Sequence, residues 1–440
     1  MRGVPEEIPD AESEQVLARV CAVDVAKESG MVCTRGPGSS GRRVSRVWQV
    51  AATTNAVGDL AADLVALGVE KVTVESTSDY WRIWFYLFEA AGLDVQLVNA
   101  RDVKNVPGRA KTDRLDAVWL AKLTEKGLLR PSFVPPAPVR VLRDYTRMRV
   151  DLVRDRTRYW SRLEKLLEDA LIKVSSVAST LKTVSTRDMV EALIAGQRDP
   201  QALAGLARGR LRGKHTALIE ALTGRFDAHH GELARILLDQ IDRLDTEITK
   251  VTTRIGQLLD EIDPPSPPPA PDGDDPRPDT RTRLAEIPGI STESAQLIIA
   301  EIGLDMTRFP TAGHLVSWAK LCPRTIQSGT NHTPGKTGKG NPYLKGALGI
   351  AAASAARGKT TFLSERYRRV VKRRGKGKAL VAVARSILVI IWHLLADPTT
   401  RYHDLGADYH DRHVNTTRKI NSLIRQLEAL GHSVTLQPTT

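Results

Sequence analysis

The first hundred residues alternate between short apolar runs and amphipathic stretches, a pattern typical of a sheet flanked by helices. Apolar, β-branched runs predict strands at residues 16–25, 30–34, 44–51, 71–75 and 95–99. The sequence GPGSSG between the second and third runs indicates a hairpin connection. Amphipathic helices are predicted at about 55–67 and 80–91, ended by Gly68 and Gly92. Three hairpin strands followed by alternating helices and strands predict an α/β domain over residues 16–130.

The middle of the chain, residues 139–262, has the apolar spacing of long helices. A basic helix at 139–171 carries apolar residues at Leu142, Tyr145, Met148, Leu152, Tyr159, Leu163 and Leu166. A second helix carries an uninterrupted heptad pattern at Leu237, Ile241, Leu244, Ile248, Val251, Ile255, Leu258 and Ile262. Such a pattern needs a partner helix. We expect a helical, coiled-coil dimerisation region; the alternative is an antiparallel hairpin with the 139–171 helix of the same chain.

A proline-rich stretch at 263–280 predicts a linker and a domain boundary, because it cannot hold a helix or strand. After it, a helix reaching to residue 302 and further helices near 314–319, 342–357 and 376–395 predict a small all-α domain over 281–400. Ile287-Pro288-Gly289-Ile290 before a helix resembles a helix-hairpin-helix element, whose backbone N–H groups meet phosphates. Residues 401–440 are interpreted as a C-terminal extension, and the acidic residues 1–15 as a disordered tail.

Charge points to a polyanionic partner. The chain has a formal net charge of +13 and a pI of about 9.7, and residues 357–378 hold ten basic residues against one acid. That run suits a groove that follows nucleic-acid phosphates, although it could also be a solvated helix face.

The remaining composition favours a cytoplasmic protein. Three cysteines without metal-ligand spacing fit buried thiols in a reducing compartment. The N-terminus has no signal-peptide pattern. The apolar residues 379–396 include Arg385 and His393, so we expect a buried helix there rather than a membrane span.

Four carboxylates stand where a nuclease core needs them. Asp24 ends the first predicted strand and Glu75 the fourth, and sites in such sheets gather at the carboxyl ends of strands. Asp113 and Asp116 are three residues apart at a helix start, so both project from one face. We expect the apolar side of that helix to pack on the sheet through Leu115, Val118, Trp119 and Leu123.

These acids suit phosphoryl transfer, because divalent metals held by carboxylates neutralise charge on the attacking and leaving oxygens. Mg²⁺ prefers such oxygens and takes the rest of its ligands from water and substrate. The element order and the acids together predict an RNase H-like (RuvC-like) DEDD domain that binds Mg²⁺ through Asp24, Glu75, Asp113 and Asp116.

The chain also resembles a known family, the Piv/MooV-type insertion-sequence transposases (the IS-one-ten family). The N-terminal resemblance lies in VDVAK at 23–27, VEST at 74–77, Lys104 and KTDRLDA at 111–117. The C-terminal resemblance lies in IPGI at 287–290, AEIG at 300–303, Arg308-Phe309, SWA at 317–319, Pro323, Gln327-Ser328-Gly329 and Lys339-Gly340-Asn341. Together these motifs span most of residues 16–396.

The resemblance implies a recombinase whose acids bind magnesium and whose Ser328 attacks a phosphodiester to give a covalent protein–DNA intermediate. It implies donor and target DNA as partners, a non-coding guide RNA for many members, and dimers that pair into a tetramer, with the acids of one subunit facing the serine of another. Base pairing would then read sequence while the protein reads RNA shape. Nucleic-acid contacts are expected from Lys104, Lys111, Arg324, Lys336, Lys339, Arg366, Arg368, Arg369, Lys372, Arg373, Arg374, Lys376 and Lys378.

Simpler interpretations stay open for several of these residues. Asp24 could be a turn residue and Asp113 a helix-start acid favoured by the dipole. Ser328 lies in a Gly-containing turn without an evident base, and Ser317 and Ser354 are rivals. The aromatic residues Trp81, Trp84, Phe85 and Phe88 could stack bases, but helical spacing favours core packing.

Two other functions also remain. One is a nuclease of the Holliday-junction-resolvase kind, in which the same acids activate water without a covalent intermediate. The other is a non-catalytic nucleic-acid-binding protein that kept the fold.

Overall fold

The computed structural model describes residues 17–38, 42–99, 112–264, 278–323, 325–328, 331–335, 337–413 and 416–437. The chain divides into two compact units, one reaching to Val134 and the other beginning at Pro135. The predicted helical middle and the predicted C-terminal domain therefore fall in one unit. The predicted tail at 1–15 and residues 265–277 of the predicted linker lie outside the described residues.

The N-terminal unit is a mixed sheet with helices on both faces. Its described elements are β1 Val20–Val25, β2 Ser29–Pro37, β3 Arg43–Ala51, α1 Thr54–Ala66, β4 Lys71–Ser76, α2 Trp81–Ala90, β5 Val95–Asn99 and α3 Asp113–Glu125. The strand order is β3-β2-β1-β4-β5; β1 and β3 run antiparallel to β2, whereas β4 is parallel to β1 and β5. The predicted strands and helices are confirmed, and the sheet is consistent with an RNase H-like fold.

Side chains of β1 alternate between two cores, as the period of a strand requires. Cys21, Val23 and Val25 pack with α1 and α2, and Val20 and Ala22 pack with α3. In the first core Trp84 and Phe88 are fully buried. The core interpretation is thus confirmed for Trp84, Phe85 and Phe88, whose rings are not available to stack on bases, while Trp81 is half-buried and packs against the same core.

The face of α3 that packs on the sheet differs from the predicted one. Its buried side chains include Ala117, Leu120, Ala121 and Thr124, while Leu115 is 46% exposed. The small residues at 117 and 121 allow the helix to approach the sheet closely. A prediction from large apolar side chains alone does not identify this face. Asp113 and Asp116 precede Ala117, Leu120 and Thr124 at helical spacing, so both acids begin the packed face.

The carboxyl end of α3 is fastened to the sheet by Glu125, which is 5% exposed. Its carboxylate forms ion pairs with Arg35 on β2 and Arg43 on β3. Burial alone raises the pKa of Glu125, but hydrogen bonds to both arginines and their charges outweigh it, so the pKa lies below its ordinary value. This contact sets where α3, and hence its acidic start, lies on the sheet.

We expect Glu125→Gln to lower the free energy of unfolding by about 2 kcal/mol at pH 7, because charge-assisted hydrogen bonds are lost. A carboxyl whose pKa is lower in the folded state stabilises the fold above its unfolded pKa of about 4.3. That contribution is lost as the pH falls through the folded pKa. Urea unfolding measured at pH 7 and at lower pH should therefore show that the difference in free energy of unfolding between Glu125→Gln and wild type decreases as the pH falls. Glu28→Gln, at an exposed position of the same unit, is the control; a gap that does not change with pH would contradict the ion-pair account.

The second unit begins with two long helices joined by short ones. The elements are α4 Ala137–Asp169, α5 Val174–Val177, α6 Val184–Ile194, α7 Pro200–Gly205, a 3₁₀ turn Gly209–Lys214, α8 His215–Leu222 and α9 Ala228–Ile262. The buried residues of α4 include Leu142, Thr146 and Arg149, while the predicted Tyr145 and Met148 are 36% and 54% exposed. In this part of α4 the buried side chains thus lie one residue after the predicted ones.

The heptad helix α9 packs along α4 of the same chain. The two run antiparallel, because Asp169 meets His230 and Arg156 pairs with Asp245. Ile241, Ile255 and Leu258 of the heptad pattern are buried. The hairpin within one chain, left open by the sequence, is thus the arrangement present here, and dimerisation through this region stays a prediction.

The rest of the second unit is mainly helical. Its elements are α10 Thr280–Ala285, α11 Thr292–Ile302, a 3₁₀ turn Met306–Arg308, α12 Ala312–Trp318, β6 Thr325–Ser328, β7 Asn331–Pro334, α13 Pro342–Ala355, α14 Phe362–Arg374, α15 Lys376–Ala396, α16 Tyr409–Arg412 and α17 Thr416–Ala429.

The prediction of an all-α C-terminal domain is wrong in one respect, since β6 and β7 pair as an antiparallel hairpin. Four-residue strands are too short to show an alternating pattern in the sequence, and only Gly329 and Thr330 separate them. Gly289 of the Pro-Gly-Ile element has φ +93°, and a Cβ there would clash with the carbonyl oxygen of Ala351. The glycine thus allows close packing on α13, and the helix-hairpin-helix interpretation stays a prediction.

Helix α15 is long and apolar enough to span a membrane by length and composition alone. It packs against α12, α13 and α14, and Val383, Ile387 and Ile391 are buried there. It is therefore a core helix of this unit, as predicted. Cys21 and Cys33 are buried free thiols, and Cys322 is half-buried. Burial raises the pKa of the Cys33 thiol to about 11, which fits an unreactive side chain.

Candidate active site and nucleic-acid interface

Asp24 and Glu75 lie side by side at the carboxyl ends of β1 and β4. The parallel register pairs Ala22 with Thr73 and Val23 with Val74, so its next step joins Asp24 and Glu75. Neighbouring strands are about 4.8 Å apart, which puts the two carboxylates on adjacent backbones. Both point to the α3 side of the sheet, since Ala22 packs on α3 and the Thr73 hydroxyl lies 2.7 Å from that of Thr124. Glu75 is 8% exposed and Asp24 is half-buried.

The direction of α3 carries Asp113 and Asp116 towards the same end of the sheet. Its last residue, Glu125, bonds Arg35, which pairs with Val20 at the start of β1. The helix therefore runs antiparallel to β1, and its first turn lies towards the carboxyl end of that strand. Thr112 caps this turn by accepting a hydrogen bond from the Leu115 N–H at 3.3 Å. Asp113 is exposed and Asp116 is half-buried.

The donor set suits Mg²⁺, because three elements supply carboxylates on one face and at one end of the sheet. No three of these carboxylates have oxygen atoms all within 4.8 Å of one another in the described residues. The structure thus brings the acids to one region, but their carboxylate oxygens are too far apart to bind one metal ion together as they stand. Their roles as ligands remain a prediction.

A different group, Asp169, His229 and His230, does bring its ligand atoms within 4.8 Å of one another. His230 Nδ1 accepts a hydrogen bond from the Asp227 N–H at 3.1 Å, so a neutral ring carries its proton on Nε2. Nε2 faces the Asp169 carboxylate at 3.2 Å. Because Nε2 holds a proton in this arrangement, the group joins the two long helices and caps α9 rather than offering a metal site.

Ser328 is the last residue of β6, directly before the two residues that connect the hairpin. Its backbone therefore lies at the turn end of a short two-stranded hairpin. The side chain itself lies outside the described residues, as do Arg324, Lys336, Lys104 and Lys111.

A buried ionic network supports the segment that follows the hairpin. Glu301 on α11 is fully buried and accepts two hydrogen bonds from Arg147, at 2.7 and 2.9 Å. Asn341 donates its side-chain N–H to the same carboxylate and caps α13 by accepting from the Leu344 N–H. Arg143 donates to the backbone carbonyl oxygens of Ala300 and Glu301. The motif residues Glu301 and Asn341 are therefore structural and tie the end of this segment to α4.

The same segment is held at a second point. Tyr343 donates its hydroxyl to Asp151 at 2.9 Å, and the Arg147 guanidinium lies 4.9 Å from its ring centre. Lys345 donates to the carbonyl oxygen of Gly338 at 2.8 Å. Sequence analysis did not identify Arg147, Asp151 or Tyr343, because their partners are more than a hundred residues away in the chain.

The predicted nucleic-acid contacts differ in their availability. The exposed ones are Lys339, Arg369, Lys372, Arg373, Arg374, Lys376 and Lys378. Arg368, in contrast, pairs with Glu365 and donates to the Gly358 carbonyl oxygen at 2.7 Å. It closes the loop before α14, so its guanidinium is already engaged. Arg366 is half-buried.

Comparisons with known proteins match two regions of the chain to transposase families. A family model of the IS110-type DEDD domain, described as a transposase, matches residues 21–172. A second, described as the transposase IS116/IS110/IS902 family, matches residues 281–368. Together the two matches cover more than half of the chain. The N-terminal unit thus belongs to the class of DEDD transposase domains.

Both matched regions are thus similar to domains of IS110-type transposases. The chain is also 31% identical over 117 residues to an uncharacterized 43.6 kDa protein of insertion element IS110 from Streptomyces coelicolor. That match spans 26% of this chain and 29% of the relative, so less than a third of the relative's length is covered.

Proposed function

We propose that this chain is a DNA transposase or recombinase of an insertion sequence that joins DNA strands through Mg²⁺-dependent acids and a nucleophilic serine. The main support is the placement of Asp24 and Glu75 on adjacent strand ends, with the acidic start of α3 on the same face, in a chain that carries two transposase domains. The net charge of +13 fits a nucleic-acid substrate.

Asp24, Glu75, Asp113 and Asp116 would hold Mg²⁺, which when bound offsets the charge on the attacking and leaving oxygens. In the proposed step the Ser328 hydroxyl oxygen attacks a DNA phosphorus. The bond from that phosphorus to one deoxyribose oxygen breaks, and the serine proton passes through solvent to the leaving oxygen. A hydroxyl of another strand then attacks the serine–phosphate ester, which restores a phosphodiester and frees the serine. Arg324 and Lys336 would stabilise the attacked phosphate.

The assembly and the RNA belong to the same proposal. Dimers would pair into a tetramer in which the acids of one subunit face Ser328 of another. An element-encoded guide RNA would select the DNA by base pairing, while basic side chains bind the phosphate backbones. Sequencing the nucleic acid that stays bound after a moderate salt wash tests this part. One defined RNA from the flanking DNA supports it, and generic nucleic acid alone contradicts it.

We expect Ser328→Ala to abolish strand transfer and strand cleavage together while nucleic-acid binding is kept, because the substitution removes only the attacking oxygen. Ser354→Ala, which changes the same group on α13, should keep activity. The measurement is gel analysis of a labelled donor DNA with Mg²⁺.

The resolvase-like alternative predicts a different outcome, in which Ser328→Ala still cleaves because the acids activate water. A non-catalytic binding protein would cut no substrate under any condition. Either result would contradict the proposed serine chemistry.

A further inference from the structure

Helices α14 and α15 form a hairpin about Gly375, a glycine with φ +77° that ends one helix and begins the next. The two helices pack against each other. Arg366 and Arg369 lie one turn apart on α14. Arg385 lies in the middle of α15, whose other central residues are apolar or small. Because Arg366 and Arg385 lie at nearly equal distances along the chain from Gly375, the hairpin places them at the same level of the two helices.

Arg366 lies in surroundings that disfavour its positive charge. Burial contributes most to lowering the pKa of Arg366, and the positive charges of Arg385 and Arg369 lower this pKa further. Its Nε atom is buried without a hydrogen-bond partner in the described structure. The nearby acid, Glu365, is already paired with Arg368.

Among the residues that the structure describes, no carboxylate forms an ion pair with these three arginines. Their like charges therefore disfavour the folded state of the free protein. Arg369 and Arg385 are exposed, so an incoming anion can reach the group. A phosphodiester matches this arrangement because its oxygens accept paired hydrogen bonds from guanidinium forks. It would also provide the acceptor that the Arg366 Nε lacks.

We propose that Arg366, Arg369 and Arg385 form a binding site for a phosphodiester group of nucleic acid. This inference rests on the proposed function, and it assigns a role to Arg385, which is outside the basic run at 357–378. It also accounts for an arginine in the middle of an apolar core helix.

The test measures binding of the full chain to a duplex DNA and to a structured RNA, in EDTA and over a series of KCl concentrations. For Arg385→Gln we expect several-fold weaker binding and a salt dependence reduced by about one phosphate contact. Arg254→Gln is the matched control, because it removes the same charge from an arginine that pairs with Glu261 on α9. An effect on one polymer alone identifies which nucleic acid supplies the phosphate.

Thermal unfolding separates a binding role from a structural one. Removing one of three repelling charges should leave the melting temperature of Arg385→Gln unchanged or higher, and a marked fall would overturn the inference. Binding and salt dependence equal to those of Arg254→Gln would overturn it as well. If the wild-type chain bound neither polymer, the proposed function itself would fail.

Discussion

Replacing Asp24 by Asn is expected to lower DNA strand transfer by on the order of a thousandfold or more, which corresponds to about 4 kcal/mol in the activation barrier. Asp24 lies next to Glu75 in the parallel register of β1 and β4 and faces the side of the sheet that carries α3. Asparagine keeps the size of the side chain but removes the charge that binds a divalent metal. The measurement is the single-turnover rate of strand transfer over a range of Mg²⁺ concentrations.

The control for Asp24→Asn is Asp59→Asn, the same change at an exposed position of α1 on the opposite face of the sheet. A circular-dichroism spectrum like that of wild type would show that the Asp24→Asn variant is folded. Binding of DNA in EDTA should also be kept. A variant with wild-type rates at saturating Mg²⁺ would show that Asp24 is only a residue at a strand end.

Glu301→Ala is expected to lower the free energy of unfolding of the second unit by about 3–5 kcal/mol, the usual cost of removing one partner of a buried ion pair. The substitution leaves Arg147 and Asn341 without the carboxylate to which both donate. Burial lowers the pKa of Arg147, and the hydrogen bond and charge of Glu301 outweigh burial and raise it. An arginine side chain does not lose its proton in a protein, so Arg147 stays charged when its partner is removed. Hydrogen exchange should show faster opening of α11 and of the first turn of α13.

Glu301→Gln should have a smaller effect, because the amide can still accept from Asn341. Glu220→Ala, at an exposed position of α8, serves as the control for the loss of a carboxylate. Equal stability of Glu301→Ala and Glu220→Ala would contradict the structural role given to this network.

The N-terminal sheet could be predicted from sequence because its strands are buried, β-branched and separated by clear turn signals. The order of Asp24, Glu75, Asp113 and Asp116 along those elements also identified the region of the sheet to which the structure brings them. The packed face of α3 could not be predicted in the same way. Ala117 and Ala121 pack on the sheet because they are small, whereas the larger apolar Leu115 is exposed. A prediction based on apolar residues therefore chose the wrong face of the helix.

Long-range polar contacts and short strands also could not be predicted from the sequence. Arg368 resembles its neighbours in sequence, yet only the fold shows that it closes a loop through Glu365 and Gly358. Arg385 was noted only as an interruption of an apolar helix, since its proximity to Arg366 depends on the α14–α15 hairpin. The β6–β7 pairing was missed because four residues are too few to reveal a strand.

The most direct test of the proposed chemistry is to trap the wild-type protein on a labelled donor DNA with Mg²⁺, digest it and map any DNA-linked peptide by mass spectrometry. The proposal predicts a nucleotide attached through phosphate to Ser328, absent in Ser328→Ala and in Asp24→Asn. Cleaved DNA without any protein-linked nucleotide would contradict the nucleophilic serine and favour hydrolysis by water.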